Sequence, residues 1–316
     1  MVQEINKVVV GLSHTKLDVE LIEYMNFISQ TFKIREIHFV HVLNIHIPEK
    51  VLEEFPNLEK DAIEERKAEV EEMVKEHCHE ECDVVHKVSV IQSSNKLKGL
   101  LEAIDKFNAD LIIIGRAAHK EKASVIIQRL ARRAPCQLMI IPEGTVKRVT
   151  KYNKVKTILV PIDFSEYSAI ALERAVSMAR NSKNKYEVKI VCQYVYALPS
   201  GYHLSGKTED EFAEIMCNNA QESYEEFLED INTDGITLCV EFSRDDREDL
   251  TANIREMAIK LDADILIIGS KGRTATAALF LGSFAEKLIT DNTHFRLLVV
   301  RKKHEYDGIL DRIKKL

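Results

Sequence analysis

Asn108-Ala109-Asp110-Leu111-Ile112-Ile113-Ile114-Gly115 returns later in the chain as Asp262-Ala263-Asp264-Ile265-Leu266-Ile267-Ile268-Gly269. A second echo has the same spacing, about 150 residues: Lys7-Val8-Val9-Val10 is answered by Lys156-Thr157-Ile158-Leu159-Val160. Repetition at one offset means that one unit occurs twice. The chain has 316 residues, enough for two domains of ordinary size. The pattern predicts domains at 1–143 and 154–303 and a C-terminal tail at 304–316, with the polar linker Pro142-Glu143-Gly144-Thr145-Val146-Lys147-Arg148 after the first.

Each copy alternates short runs rich in Val, Ile and Leu with longer amphipathic stretches. The runs lie near 7–12, 36–43, 84–91, 110–114 and 137–141, and again near 157–162, 188–195, 236–242, 264–268 and 297–300. Apolar runs of this length between turn residues read as strands buried on both faces. After Asp163, residues Ala171, Leu172, Ala175, Val176, Met178 and Ala179 form one helical stripe, and Leu250, Ile254, Met257 and Leu261 form another. Strand and helix in alternation predict an α/β fold: two tandem doubly wound domains, each a five-stranded parallel sheet with helices on both faces.

Composition narrows the partners. The net charge is −7, which argues against a nucleic-acid backbone as the main ligand. The longest apolar runs stop well short of the ~18 residues that a membrane span needs, and MVQEINKVVV has no signal-peptide character. Six cysteines without a C-x-x-C pair read as reduced thiols, pointing to a cytoplasmic protein.

The densest chemistry follows the fourth strand of the second copy. Gly269-Ser270-Lys271-Gly272-Arg273 is separated by nine residues from Gly282-Ser283-Phe284, a G-x2-G-x9-G-S pattern. Glycines at a strand's carboxyl end let backbone N–H groups approach phosphate oxygens, and a helix N-terminus favours anions. Lys271 and Arg273 could offset phosphate charge or stand as solvated cations. Ser283 with Glu286 also reads as an S-x-x-E capping box. Val160-Pro161-Ile162-Asp163-Phe164-Ser165 ends the first strand of that copy, with Ser165 as a helix cap. It places Asp163 at the carboxyl edge of the sheet, where open α/β sheets bind ligands.

Through VPIDFSE (160–166), DADILIIGSKGR (262–273) and LGSFAEKLI (281–289), the chain resembles the universal stress proteins in their tandem two-domain form. The resemblance implies adenine nucleotide, ATP or ADP, as ligand, held by Pro161, Ile162, Asp163, Gly269, Gly272, Gly282, Ser283 and Phe284, with Arg273 beside them. The family's adenine-facing valine falls on Tyr194, an aromatic that can stack on a base. The first copy departs: Ser13 stands for the aspartate, Ala118 for the second glycine, and Ala123-Ser124 follows after a loop five residues shorter. Nucleotide binding is therefore expected in the second copy alone.

Two other patterns compete. Gly201-Tyr202-His203-Leu204-Ser205-Gly206-Lys207-Thr208 matches the P-loop motif, yet Ala197-Leu198-Pro199-Ser200 separates it from its strand and three acids follow it. Thr208 with Glu211 reads instead as a capping box. His77-Cys78-His79-Glu80-Glu81-Cys82, with His86, is the one metal-like cluster; Cys78 and Cys82 could share a helix face, but no second ligand pair accompanies them.

Three functions fit these features. One is an ATP/ADP-binding stress-response regulator acting on a protein partner that the sequence does not name. Another is an ATP-hydrolysing enzyme using the 269–283 site or the 201–208 loop. The last is a ligand-free adaptor. Each copy closes on an apolar strand, Leu138–Ile141 and Leu297–Val300, at the sheet edge in this topology. Such edges are normally paired or covered, so the two copies are expected to pair within the chain as a pseudo-dimer, or across a homodimer.

Overall fold

The computed structural model describes residues 4–78, 84–117, 121–146, 155–182, 187–273 and 281–302, the side chains of residues 30 and 121–124 excepted. These residues form two compact units that divide between residues 154 and 155. The N-terminal unit runs β1 (Lys7–Leu12), α1 (Lys16–Phe32), β2 (Glu36–Leu43), α2 (Glu49–Glu54), α3 (Leu58–His77), β3 (Val85–Gln92), α4 (Lys96–Phe107), β4 (Leu111–Arg116), α5 (Glu121–Arg133) and β5 (Gln137–Pro142). The C-terminal unit runs β6 (Thr157–Ile162), α6 (Glu166–Asn181), β7 (Lys189–Tyr196), α7 (Glu209–Leu228), β8 (Thr237–Arg244), α8 (Leu250–Lys260), β9 (Ile265–Gly269), α9 (Ser283–Asp291) and β10 (Arg296–Val300).

Strand order in the first unit is β3-β2-β1-β4-β5, and in the second β8-β7-β6-β9-β10, with parallel neighbours throughout. The chain reverses its direction across the sheet between β1 and β4, and between β6 and β9. With right-handed crossovers, that reversal sends helices to both faces and opens a crevice at the carboxyl ends of the two switch strands.

The repeated octapeptide explains how each switch is built. Asn108 and Asp262 take left-handed backbone with φ of 50° and 51°, a conformation that Asn and Asp tolerate better than most residues. Two residues on, the Asp110 carboxylate accepts from the Asn6 and Lys7 amides at 2.9 and 3.0 Å. Asp264 does the same for Lys156 and Thr157 at 2.6 and 3.0 Å. Each aspartate thus ties the start of the first strand to the start of the fourth. The following Leu111, Ile112 and Ile113, like Leu266 and Ile267, are fully buried, which is why these runs carry no alternation.

The turn after β1 departs from its expected form. Ser13 does lack a carboxylate, but the Asp18 side chain supplies one from the first turn of α1. It accepts from the amides of Ser13 at 3.0 Å, His14 at 2.6 Å and Thr15 at 3.2 Å. Burial pushes the Asp18 carboxyl up, against the downward pull of those amides and of Lys96.

Two sequence readings bear on this unit. Ala123 and Ser124 lie inside the first turn of α5 and do not open it, because the helix already begins at Glu121. Helix α3 ends at His77 with Cys78 as its extended C-cap, and Cys82, the expected companion of Cys78 on a helix face, lies outside the described residues. His79, Glu80, Glu81, Cys82 and Ala118 lie outside the described residues, as do Lys147, Arg148 and the tail at 304–316. Cys78 Sγ sits 3.7 Å from His86 Nε2, and among the described residues no three His, Cys, Asp or Glu side chains could hold a metal. Among those residues, no helix is long and apolar enough to cross a membrane.

Buried imidazoles make the N-terminal unit sensitive to acid. His41 on β2 is 6% exposed, and burial, helped by Arg66, Lys96 and His14, pushes it down to about 4. The unfolded chain takes up that proton near 6.5 and the folded chain only near 4, so the unfolded state binds more protons in between. The His41 contribution is complete above pH 6.5 and is lost as the pH falls toward 4. His41→Phe should therefore flatten the fall in urea-unfolding stability over that window, by up to about 3 kcal/mol. An unchanged slope would rule out His41 as the acid-sensitive group.

Candidate functional site

At the carboxyl edge of β6, Asp163 turns the chain into α6. Its Oδ1 accepts from the Ser165 amide at 3.1 Å and the Ser165 hydroxyl at 2.5 Å, while Ser165 caps the helix by accepting from the Ser168 amide. Oδ2 reaches across the switch point and accepts from the Arg273 amide at 3.2 Å. The carboxylate therefore ties the end of β6 to the loop after β9.

That loop is held close to the start of α9. The Ser270 amide donates to Val300 O, and the Gly282 amide donates to Ser270 O, at 3.0 and 2.9 Å. Helix α9 begins at Ser283 with Gly282 as its N-cap and no side-chain cap. The expected Ser283–Glu286 capping box is thus replaced: Glu286 donates its amide to the Gly282 carbonyl, and Ser283 is one residue too far along to cap. The amides of Ser283, Phe284 and Ala285 lie in the first turn, where no earlier helical carbonyl can receive them.

The three glycines are glycine for different reasons. A Cβ on Gly269 would stand 2.7 Å from the Tyr167 carbonyl oxygen, so this residue lets α6 pack on β9. A Cβ on Gly272 would meet Asp163 Oδ2 at 2.9 Å. At Gly282 the nearest atom would be Lys271 Cα at 3.4 Å, an ordinary contact, and its φ of −58° suits any residue. Among the described residues, neither packing nor backbone geometry demands a glycine there.

These elements enclose a cavity of about 140 Å³. Pro161, Ile162 and Asp163 line it from β6, Tyr194 from β7, Gly269 and Gly272 from β9 and its loop, and Gly282 and Phe284 from α9. Arg273 and Ser283 stand outside the lining, although both residues flank it in sequence. Arg273 packs its guanidinium 5.7 Å above the Phe164 ring, and Phe164 stacks on Tyr194 at 4.6 Å and 19°. Lys271 is no solvated cation: it is 7% exposed, with its ammonium 5.3 Å from the Tyr167 ring.

The sequence reading missed several lining residues. Gln193 is 1% exposed; its Nε2 donates to Ser243 and its Oε1 is buried without a hydrogen-bond partner. Leu250 and Ile254 of α8 close the apolar side. A buried glutamine in a strand gives no periodic signal, whereas Leu250 and Ile254 belong to the helical stripe already read as core.

Residues 4–142 and 154–301 each match the sequence profile of the universal stress protein family. The chain belongs to the universal stress protein family. A universal stress protein of Methanocaldococcus jannaschii is 28% identical over 152 residues, which are 48% of this chain and 84% of that one. Among solved structures, a universal stress protein from Archaeoglobus fulgidus matches 95% of this chain and 97% of its own, at 16% identity and a TM-score of 0.62. A functionally unknown protein from Pseudomonas aeruginosa PAO1 matches 99% and 98%, at 13% identity and a TM-score of 0.62. At such identities the two structures show the shared fold.

Within this universal stress protein, the 201–208 segment has its own local structure. Residues Tyr202–Ser205 make a 3-10 turn, in which the Tyr202 and Leu204 amides donate to Pro199 O and Gly201 O. Thr208 and Glu211 form the expected reciprocal capping box, and Glu209 and Asp210 share that first turn. A phosphate there would meet three carboxylates and a committed threonine.

The glycine geometry yields a stability test. Gly269→Ala should cost about 1–3 kcal/mol, because the added methyl forces α6 off β9. Gly282→Ala should leave the urea midpoint within error of the parent. Equal losses would mean that Gly282 is also a packing glycine.

Proposed function

We propose that the C-terminal unit binds ATP or ADP and that the protein is a cytoplasmic stress-response regulator whose affinity for a partner protein follows nucleotide state. One observation carries this reading: Gly282 opens α9 although nothing among the described residues excludes a side chain there. A glycine at a helix N-terminus, above a cavity and beside first-turn amides that no helical carbonyl receives, suits a phosphate that approaches the backbone closely. Phosphates would run over Gly272, Gly282 and Ser283 with Arg273 alongside, and the base would enter between Ile162, Tyr194 and Phe284. Asp163 is occupied as an acceptor from Ser165 and Arg273, an arrangement that favours holding a ligand over general-base turnover.

A cavity near 140 Å³ suits a single aromatic ring, so Tyr194 limits how far a purine enters. Chromatography of nucleotide released from the denatured protein, with calorimetric titration of ATP, tests the proposal. Gly282→Val should abolish binding, Asp163→Ala should weaken it, and Tyr194→Val should tighten it. Lys207→Ala should change nothing; lost affinity there, with Asp163→Ala unaffected, would restore the P-loop reading. No nucleotide bound by the parent protein would leave the adaptor role. Phosphate release during the titration would make the same site an ATPase.

We also infer that the apolar edge strands β5 and β10 pair within one chain, the N-terminal unit serving as the internal partner. The support is that each closes its own unit's sheet and is apolar after its first residue. The segment 151–316 alone should then dimerise or aggregate in light scattering; a soluble monomer at micromolar concentration would refute the pairing.

A further inference from the structure

In the N-terminal unit, four basic side chains from four separate elements converge at the carboxyl ends of β1 and β2. His14 comes from the turn after β1, His41 from β2, Arg66 from α3 and Lys96 from the first residue of α4. Arg66 Nη1 lies 2.5 Å from His14 Nδ1, so the guanidinium donates and the ring is neutral at that nitrogen. The His14 and His41 rings are 6.2 Å apart and edge to face. Lys96 Nζ lies 3.4 Å from the Ser13 hydroxyl.

The carboxylates nearby are already engaged. Asp18 is wrapped by the Ser13, His14 and Thr15 amides, and also attracts Lys96. Glu69 pairs with Arg66 along the same helix at 2.7 Å. His41 Nδ1 and Arg66 Nε are nevertheless buried with no hydrogen-bond partner, and His41 is 94% buried as a residue. Buried polar atoms normally find partners, and basic groups packed together disfavour one another's charge.

Register relates this cluster to the cavity of the other unit. His41 sits opposite Leu12 as Tyr194 sits opposite Ile162. His14 takes the left-handed turn conformation at φ 56°, as Phe164 does at 60°. Where one unit stacks two aromatics, the other places two imidazoles flanked by a guanidinium and an ammonium.

We propose that this cluster binds a phosphate-type oxyanion, either free or as the terminal group of an organic monoester. A tetrahedral dianion has acceptors on every side, which suits donors arriving from four elements better than a planar carboxylate would. Arg66 and Lys96 supply fixed charge. His41 gains a proton as the anion binds, because the anion offsets the burial and the neighbouring Arg66, Lys96 and His14 that disfavour its charge. The site is independent of nucleotide in the C-terminal unit.

The full-length protein, labelled at histidine, is titrated with inorganic phosphate, and separately with adenosine monophosphate, at constant ionic strength while the imidazole resonances are followed. The His14 and His41 resonances should shift saturably, and His41 should titrate at higher pH when phosphate is present. Both effects should disappear in Lys96→Met and in Arg66→Met, two variants whose folding is checked by circular dichroism, and persist in Gly282→Val. A stronger response to phosphate identifies the free anion as ligand, and a stronger response to the monophosphate identifies the ester. Identical shifts with chloride, shifts that survive both variants, or no saturable shift with either probe would overturn the proposal. Because Gly282→Val removes the C-terminal site alone, failure of the nucleotide reading is told apart from failure here.

Discussion

Everything at the carboxyl edge of each sheet depends on two amides and one carboxylate at the opposite end. Asp110 and Asp264 hold the first strand of their unit in register with the fourth. A slip of one residue would turn every side chain of that strand to the other face. It would also carry Asp163 away from the Arg273 amide, and His41 away from its place beside the β1 turn. The chemistry at one end of the strand is placed by a hydrogen bond about five residues upstream.

The strands and their order were legible because strands buried on both faces need unbroken runs of Val, Ile and Leu, and these runs repeat. Eight of the ten residues read as the site do line one cavity, because strand ends and the loops that follow them are positions that a sequence marks well. Finer detail was hidden for physical reasons. Gly269, Gly272 and Gly282 look alike in sequence, yet one accommodates a helix, one a carboxylate and one nothing among the described residues. The S-x-x-E pattern at Ser283 was real but lay one residue inside the helix, where a hydroxyl can no longer cap. Phe164 and Gln193 could not be seen because a stack and a buried amide depend on neighbours distant in sequence.

The two units show how far one backbone can diverge in chemistry. Their switch strands share the same gripping aspartate, the same left-handed residue before it and the same turn conformation at His14 and Phe164. The difference lies in what surrounds the turn. One unit surrounds it with apolar rings and three glycines. The other brings basic groups to it and starts the final helix at Glu121, before Ala123-Ser124. Even the retained glycine has changed its neighbour, since a Cβ on Gly115 would meet the flexible Leu17 side chain and one on Gly269 would meet backbone.

The Asp18 carboxylate also makes the separation of the two copies hard to reverse. Restoring an aspartate at Ser13 alone would set a second carboxylate beside the buried Asp18, in a turn whose amides already serve one. Removing Asp18 first would take the shared acceptor from three part-buried turn amides before any replacement arrived. Either single step passes through a less stable protein, so only a paired exchange leads back. Mutation by mutation, the first copy is free to drift further from its sibling and not to return toward it.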